Sequence, residues 1–153
     1  MTKILFVCLG NICRSPMAEA VMKQLLTESN GHRDIHVDSA AIAGYHVGEL
    51  PDSRTLAVCK KYGIEFTHHA RKIQLIDYYE FKWIFTMDNS IHEFVLSQKP
   101  IDHSSKISLF REFDPLNRGN LETPDPYYGT MSDFENVYQI CLRTCARILQ
   151  ECP

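Results

Sequence analysis

The chain has 153 residues, a net charge of -3, and 44% hydrophobic against 23% charged residues, the make-up of one ordinary globular domain over 1–153 rather than a fibrous or disordered chain. The slight acidic excess gives no footprint for nucleic acid, and no apolar run reaches the ~18 residues of a membrane span, so neither nucleic-acid binding nor membrane insertion is expected. Met1-Thr2-Lys3 leads straight into an apolar run without the pattern of a secretory signal, which points to a cytoplasmic protein whose six cysteines are reduced thiols rather than a disulfide framework.

Lys3-Ile4-Leu5-Phe6-Val7 is almost wholly apolar and predicts a strand covered on both faces, as in a parallel sheet. After the segment Cys8 to Arg14, Ser15 and Pro16 supply an N-cap and a first-turn proline. Ala18, Val21, Met22, Leu25 and Leu26 then repeat at helical spacing to a stop near Asn30-Gly31. Ile35 to Ser39 predicts a second strand, and Pro51 to Tyr62 a helix closed by Gly63. Lys82 to Met87 reads as a third strand, Ser90 to Gln98 as a helix, and Lys106 to Phe110 as a fourth strand.

Residues 111–131 carry Pro115, Gly119, Pro124, Pro126 and Gly129 and predict a long surface loop, a type often functional at this length. Ser132-Asp133-Phe134-Glu135 has the form of a capping box. It opens a helix whose stripe is Phe134, Val137, Tyr138, Cys141, Leu142, Cys145, Ile148 and Leu149. Strands alternating with helices predict an α/β fold: one open four-stranded parallel sheet of flavodoxin-like order, helices on both faces, and a site at the carboxyl ends of the strands.

Cys8-Leu9-Gly10-Asn11-Ile12-Cys13-Arg14 has the form C-x5-R, which alone is weak, since Cys141 and Arg147 match it too. The second match lies within the last helix, where six steps of ~100° put the two residues on different faces. The first lies between a strand and a helix start, where the backbone N–H groups of residues 9–15 can close around one anion, with Gly10 and Asn11 best able to take left-handed angles. Arg14 adds a guanidinium that grips two oxygens at once. A thiol facing that cation and a helix N-terminus is favoured as the nucleophilic thiolate, with the Ser15 hydroxyl donating to it. Phosphoryl transfer to Cys8 then needs a proton donor for the leaving group. Asp125, held extended between Pro124 and Pro126, is the candidate, with Tyr127 and Tyr128 at the mouth. Neither Cys8-x4-Cys13 nor Cys141-x3-Cys145 has the short knuckle spacing of a structural zinc site, so no metal or other cofactor is expected.

Val7-Cys8-Leu9-Gly10-Asn11-Ile12-Cys13-Arg14-Ser15-Pro16-Met17-Ala18-Glu19 together with Asp125-Pro126-Tyr127-Tyr128-Gly129 closely resembles the low-molecular-weight protein tyrosine phosphatases. Asp38-Ser39-Ala40, His46-Val47-Gly48, His68 with Ala70-Arg71, Thr86-Met87-Asp88 and Phe113-Asp114-Pro115 are similar to the family's internal landmarks, in order. The resemblance implies hydrolysis of phosphotyrosine in proteins through a phosphocysteine on Cys8. In it Arg14 binds phosphate, Asp125 is acid and then base, Ser15 tunes the thiolate, and Asn11, Ser39 and His68 hold the loop. It also implies a reversible disulfide between Cys8 and Cys13. Tyr45 stands where many members carry a tryptophan and offers a stacking wall for the substrate ring. The partners implied are tyrosine-phosphorylated proteins, acted on by a monomer with at most weak self-association. Two rivals are an arsenate reductase on the same fold, which needs two further relay cysteines that residues 70–100 do not contain, and a phosphate-binding module without turnover.

Overall fold

In the computed structural model, which describes residues 1–29 and 33–152, four parallel strands form one sheet in the order β2-β1-β3-β4. β1 is Thr2–Cys8, β2 Ile35–Ala41, β3 Trp83–Thr86 and β4 Lys106–Leu109. β1 lies inside the sheet, in register with β2 from Thr2↔Ile35 to Cys8↔Ala41 and with β3 from Ile4↔Trp83 to Val7↔Thr86. Its side chains alternate between two buried layers, which is why the run Ile4–Val7 shows no polar position. Ile4, Phe6 and Cys8 face α1 (Arg14–Glu28), α2 (Ser53–Lys61) and α5 (Met131–Glu151). Leu5 and Val7 face the short α3 (Asp77–Glu80) and α4 (Asn89–Gln98) through Tyr78, Phe81, Ile91 and Val95. The expected flavodoxin-like order and the helices on both faces are present. Among the described residues no helix is long and apolar enough to cross a membrane.

Four local expectations are corrected. The first helix starts at Arg14 with Cys13 as N-cap, and Ser15 caps nothing because its hydroxyl faces the Cys8 sulfur. Its expected stop at Asn30-Gly31 lies outside the described residues, α1 itself ending at Glu28. The α4 cap is Asp88, whose carboxylate accepts from the Ile91 N–H at 2.9 Å, so that helix begins at Asn89. The capping box of α5 is Thr130 with Asp133, not Ser132 with Glu135. The Thr130 N–H donates to Asp133 Oδ2 at 2.7 Å, while Glu135 turns away to Lys61 and Tyr62. Gly129 permits this register, since a Cβ there would collide with the Asp133 carboxylate. Finally, β4 stops at Leu109, and Phe110–Phe113 tighten into a 3-10 turn.

That turn drives the fully buried Phe110 ring against the Phe6 ring, edge to face at 5.5 Å, with Phe85 stacked on Phe6 at 5.8 Å. The cluster clamps β1, β3 and the end of β4 together beneath the site. Truncating a packed core phenylalanine loses both its transfer term and its contacts. Phe110→Ala is therefore expected to lower the free energy of unfolding by about 3–5 kcal/mol in urea titration, with β3 and β4 the first region to lose hydrogen-exchange protection.

Candidate active site

β1 delivers Cys8 to the carboxyl edge of the sheet, beside the point where the chain order reverses between β1 and β3. The segment from Cys8 to Arg14 curls there through Asn11, which has φ 59°, in the left-handed region that few residues other than glycine and asparagine enter. Its carbonyls are tied outward. Cys8 O accepts from the Ile42 N–H, Leu9 O from the Ala43 N–H, each at 3.0 Å, and Ile12 O from the Asp52 N–H at 2.9 Å and the Thr55 hydroxyl at 3.1 Å. In a planar trans peptide each carbonyl opposes the following N–H, so the N–H groups of Leu9, Gly10 and Cys13 turn inward. The Asn11 N–H, 3.3 Å from Cys8 Sγ, does the same. The result is a ring of donors around the sulfur, which is 2% exposed and also lies 3.0 Å from Ser15 Oγ.

Asn11 is the hub that holds this curl. Its amide nitrogen donates to Ser15 Oγ at 2.8 Å and Ser39 Oγ at 2.9 Å. Its amide oxygen accepts from His68 Nε2 at 2.7 Å and the Arg71 N–H at 3.0 Å. Ser15, Ser39 and His68 thus stand together around Asn11. Glu19, to which the sequence assigns no role, joins them: its buried carboxylate accepts from the Ser39 hydroxyl at 2.7 Å and lies 3.2 Å from His68 Nδ1. Burial holds the His68 imidazole below its ordinary value, opposed by Glu19 and Asp38. The signal for Glu19 was a carboxylate among the small and apolar residues of the buried half of α1. Glu19, Asp38 and His68 are of metal-ligand type and lie close enough to share an ion. Their donors are already engaged, Glu19 with Lys23 and Ser39 and Asp38 with Arg71, which makes the cluster a brace.

Arg14 is 3% exposed and reaches across to two other segments. Its Nη1 donates to Asp88 Oδ2 at 2.7 Å and to the Thr123 carbonyl at 3.0 Å, which commits both hydrogens of that nitrogen. The edge left to grip two oxygens is Nε–H with Nη2–H. Burial works against the guanidinium's charge, yet Cys8, Asp88 and Asp125 together hold it above its ordinary value. Asp125 Oδ2 stands 3.6 Å from Arg14 Nη2, and Asp125 Oδ1 accepts from the Tyr127 N–H at 3.2 Å. The long loop is pinned at its root. The Thr123 N–H donates to Met87 O at 2.7 Å, and the fully buried Asp114 carboxylate pairs with Arg111 at 2.8 Å and Arg143 at 2.7 Å.

Cys8, Arg14 and Asp125 line one cleft of about 140 Å³ with Leu9, Gly10, Ile12, Cys13, Tyr45, Tyr127 and Tyr128. His46 lines it as well and was not anticipated; its ring lies against Gly10 and its Nδ1 is 2.5 Å from Glu49. Tyr45 and Tyr128 stand at the rim, 75% and 96% exposed, so they meet a ligand only at its outer end. Of the other thiols, Cys13 is pushed up to about 12, mainly by burial and further by Asp52. The second C-x5-R pair is separated as expected, with Cys141 wholly buried and Arg147 on the surface pairing with Glu151.

The sequence profile described as low molecular weight phosphotyrosine protein phosphatase matches residues 3–152. The chain belongs to that enzyme family. It is 43% identical to the human low molecular weight phosphotyrosine protein phosphatase over 150 residues, 97% of this chain and 94% of the relative. Among solved structures it is similar to Primo-1, with TM-score 0.94, 38% identity and 99% of each chain covered. It is also similar to DARP, a Drosophila arginine phosphatase, with TM-score 0.90 and 36% identity over 97% of this chain and 96% of that one.

The brace at the loop root gives this phosphatase an acid limit. Although burial alone would raise the Asp114 carboxyl, its bonds to Arg143, the Leu116 N–H and Arg111 hold it below its ordinary value. The unfolded chain therefore takes up a proton here at higher pH than the folded one. This contribution is complete above about pH 4, where the unfolded carboxyl is ionised, and is lost as pH falls through the lower folded value. Asp114→Asn should melt lower at neutral pH, yet lose less of its melting temperature than the parent between about pH 4 and pH 2, as read by calorimetry.

Proposed function

We propose that this phosphatase hydrolyses phosphotyrosine in proteins, and small aryl phosphates, through a phosphocysteine on Cys8, with residues 1–153 as one catalytic domain. The observation that carries the reading is the Cys8 sulfur at the floor of the cleft, facing the Asn11 N–H and Ser15 hydroxyl, with Arg14 and Asp125 beside it. The phosphate sits within the inward N–H groups of residues 9–15, two of its oxygens on Nε and Nη2 of Arg14. Sγ attacks phosphorus as the ester P–O bond breaks, and the departing phenolate oxygen takes its proton from Asp125. Water then gives a proton back to Asp125, its oxygen bonds to phosphorus, and the S–P bond breaks to release inorganic phosphate and the thiolate. No cofactor or metal enters these steps.

The upper cleft selects the ester. Ile12, Leu9 and the rings of Tyr45, Tyr127 and Tyr128 offer apolar and aromatic surface for a phenyl ring. A phosphoarginine substrate, of the kind named for DARP, would bring guanidine N–H groups against the same surface, where few acceptors await them. All these residues come from one chain, so a monomer is the complete catalytic unit. A cytoplasmic setting suits the six free cysteines.

Cys8→Ser is expected to abolish turnover of p-nitrophenyl phosphate while keeping affinity for inorganic phosphate, and Arg14→Ala to lose both. Asp125→Asn should cost about 10²–10³-fold in kcat/KM for phenyl phosphate and far less for esters of acidic phenols. Residual turnover by Cys8→Ser at the parent rate would reject the mechanism.

The same sulfur is the site of redox control. Peroxide converts the Cys8 thiolate to a sulfenic acid, and the Cys13 thiol condenses with it to a disulfide with loss of water. The raised value of Cys13 keeps it a thiol until then. Peroxide should inactivate the enzyme and dithiothreitol restore it, with a Cys8–Cys13 linked peptide seen by mass spectrometry; its absence from inactivated protein would remove this assignment.

A further inference from the structure

Arg54 lies outside the cleft lining, yet it touches both segments that the proposed reaction uses. Its guanidinium chelates the α2 cap, with Nε 3.0 Å from Asp52 Oδ1 and Nη2 2.9 Å from Asp52 Oδ2. Nη2 also donates to the Tyr127 carbonyl at 2.9 Å, and Nη1 to the Gly129 carbonyl at 3.3 Å. The group also lies over two rings, 4.4 Å from the Phe134 centroid and 5.8 Å from that of Tyr127. On its other side the same turn holds the phosphate loop, because the Asp52 N–H and the Thr55 hydroxyl both donate to Ile12 O. Residues 52–55 therefore join the cradle to the segment 127–129. The Tyr127 N–H in turn holds Asp125 Oδ1, so a displaced Tyr127 peptide displaces the carboxyl.

We propose that Arg54 is a positioning residue for the proton transfer, fixing the Tyr127–Gly129 backbone against the cradle so that the Asp125 carboxyl meets the leaving oxygen. The inference rests on the role of Asp125 proposed above. A planar fork suits this role because it spans one carboxylate and two carbonyls at once, which a lysine ammonium cannot. Hydrogen bonding between the partners holds Asp52 below and Arg54 above its ordinary value, so the clamp stays charged through the neutral range. General acid catalysis is sensitive to such placement, since a shift near 1 Å can remove most of its benefit.

The test is Arg54→Met, which keeps an apolar stem over Phe134 and removes the fork. It is assayed with aryl phosphates of graded leaving-group acidity, with Asp125→Asn and the double variant in parallel. The expected result is a loss in kcat/KM of about 10-fold for phenyl phosphate, shrinking to under about 2-fold for p-nitrophenyl phosphate, with inhibition by inorganic phosphate unchanged. Arg54→Lys should recover only part of the loss, and in the Asp125→Asn background Arg54→Met should have no further effect. A uniform loss across the series, no loss, or additive losses in the double variant would overturn the proposal. If Asp125→Asn itself shows no leaving-group dependence, the acid assignment falls first. If it does and Arg54→Met does not, the clamp alone is wrong.

Discussion

The site depends on one strained residue held in place by neighbours distant in sequence. Asn11 in the left-handed region is what turns the first loop from an extended strand exit into a closed ring, and a backbone there costs ~1 kcal/mol or more unless its surroundings enforce it. Enforcement comes from four hydrogen bonds on one amide, two given and two received, to Ser15, Ser39, His68 and the Arg71 backbone. Because all of an amide's donors and acceptors are used, the group has one orientation. The inward N–H groups, the sulfur and the guanidinium inherit their geometry from it.

Arg14 shows the same division of labour in charge. Asp88 both caps α4 and takes one hydrogen of Nη1, and the Thr123 carbonyl takes the other. The guanidinium is thereby fixed by the α4 cap and the long loop while its other edge faces the cleft. A cation this buried is tolerated because it has full partners on its rear side. An anion arriving in front completes the set. Asp125, 3.6 Å from Arg14 Nη2, stands close enough to sense that cation, which suits the acid and base role proposed for it.

Much of this was legible in the residues. Parallel strands buried on both faces write continuous apolar runs, so β1 was plain. The long amphipathic α5 was equally so, and C-x5-R between a strand and a helix start marked the site. What the sequence misplaced were boundaries governed by a single side-chain bond. Ser15 has the identity of a cap but spends its hydroxyl on Cys8, and two overlapping S/T-x-x-D/E patterns at 130–135 left the capping register to the contact between Gly129 and Asp133. The four-residue α3 is too short to leave a periodic trace. Glu19, Arg54 and His46 carried no assigned role because their partners lie far along the chain or, for His46, in a turn with no regular pattern. No local rule joins Arg54 to Tyr127.

The cradle draws its supports from residues 8–15, 39, 52–55, 68–71, 88 and 123–125, so no single supersecondary unit contains it. A nascent βαβ fragment would carry the cysteine and the arginine yet lack the groups that bend the loop and aim the guanidinium. The cradle is thus complete only once the long loop has folded back to bring Thr123 and Asp125 against Arg14.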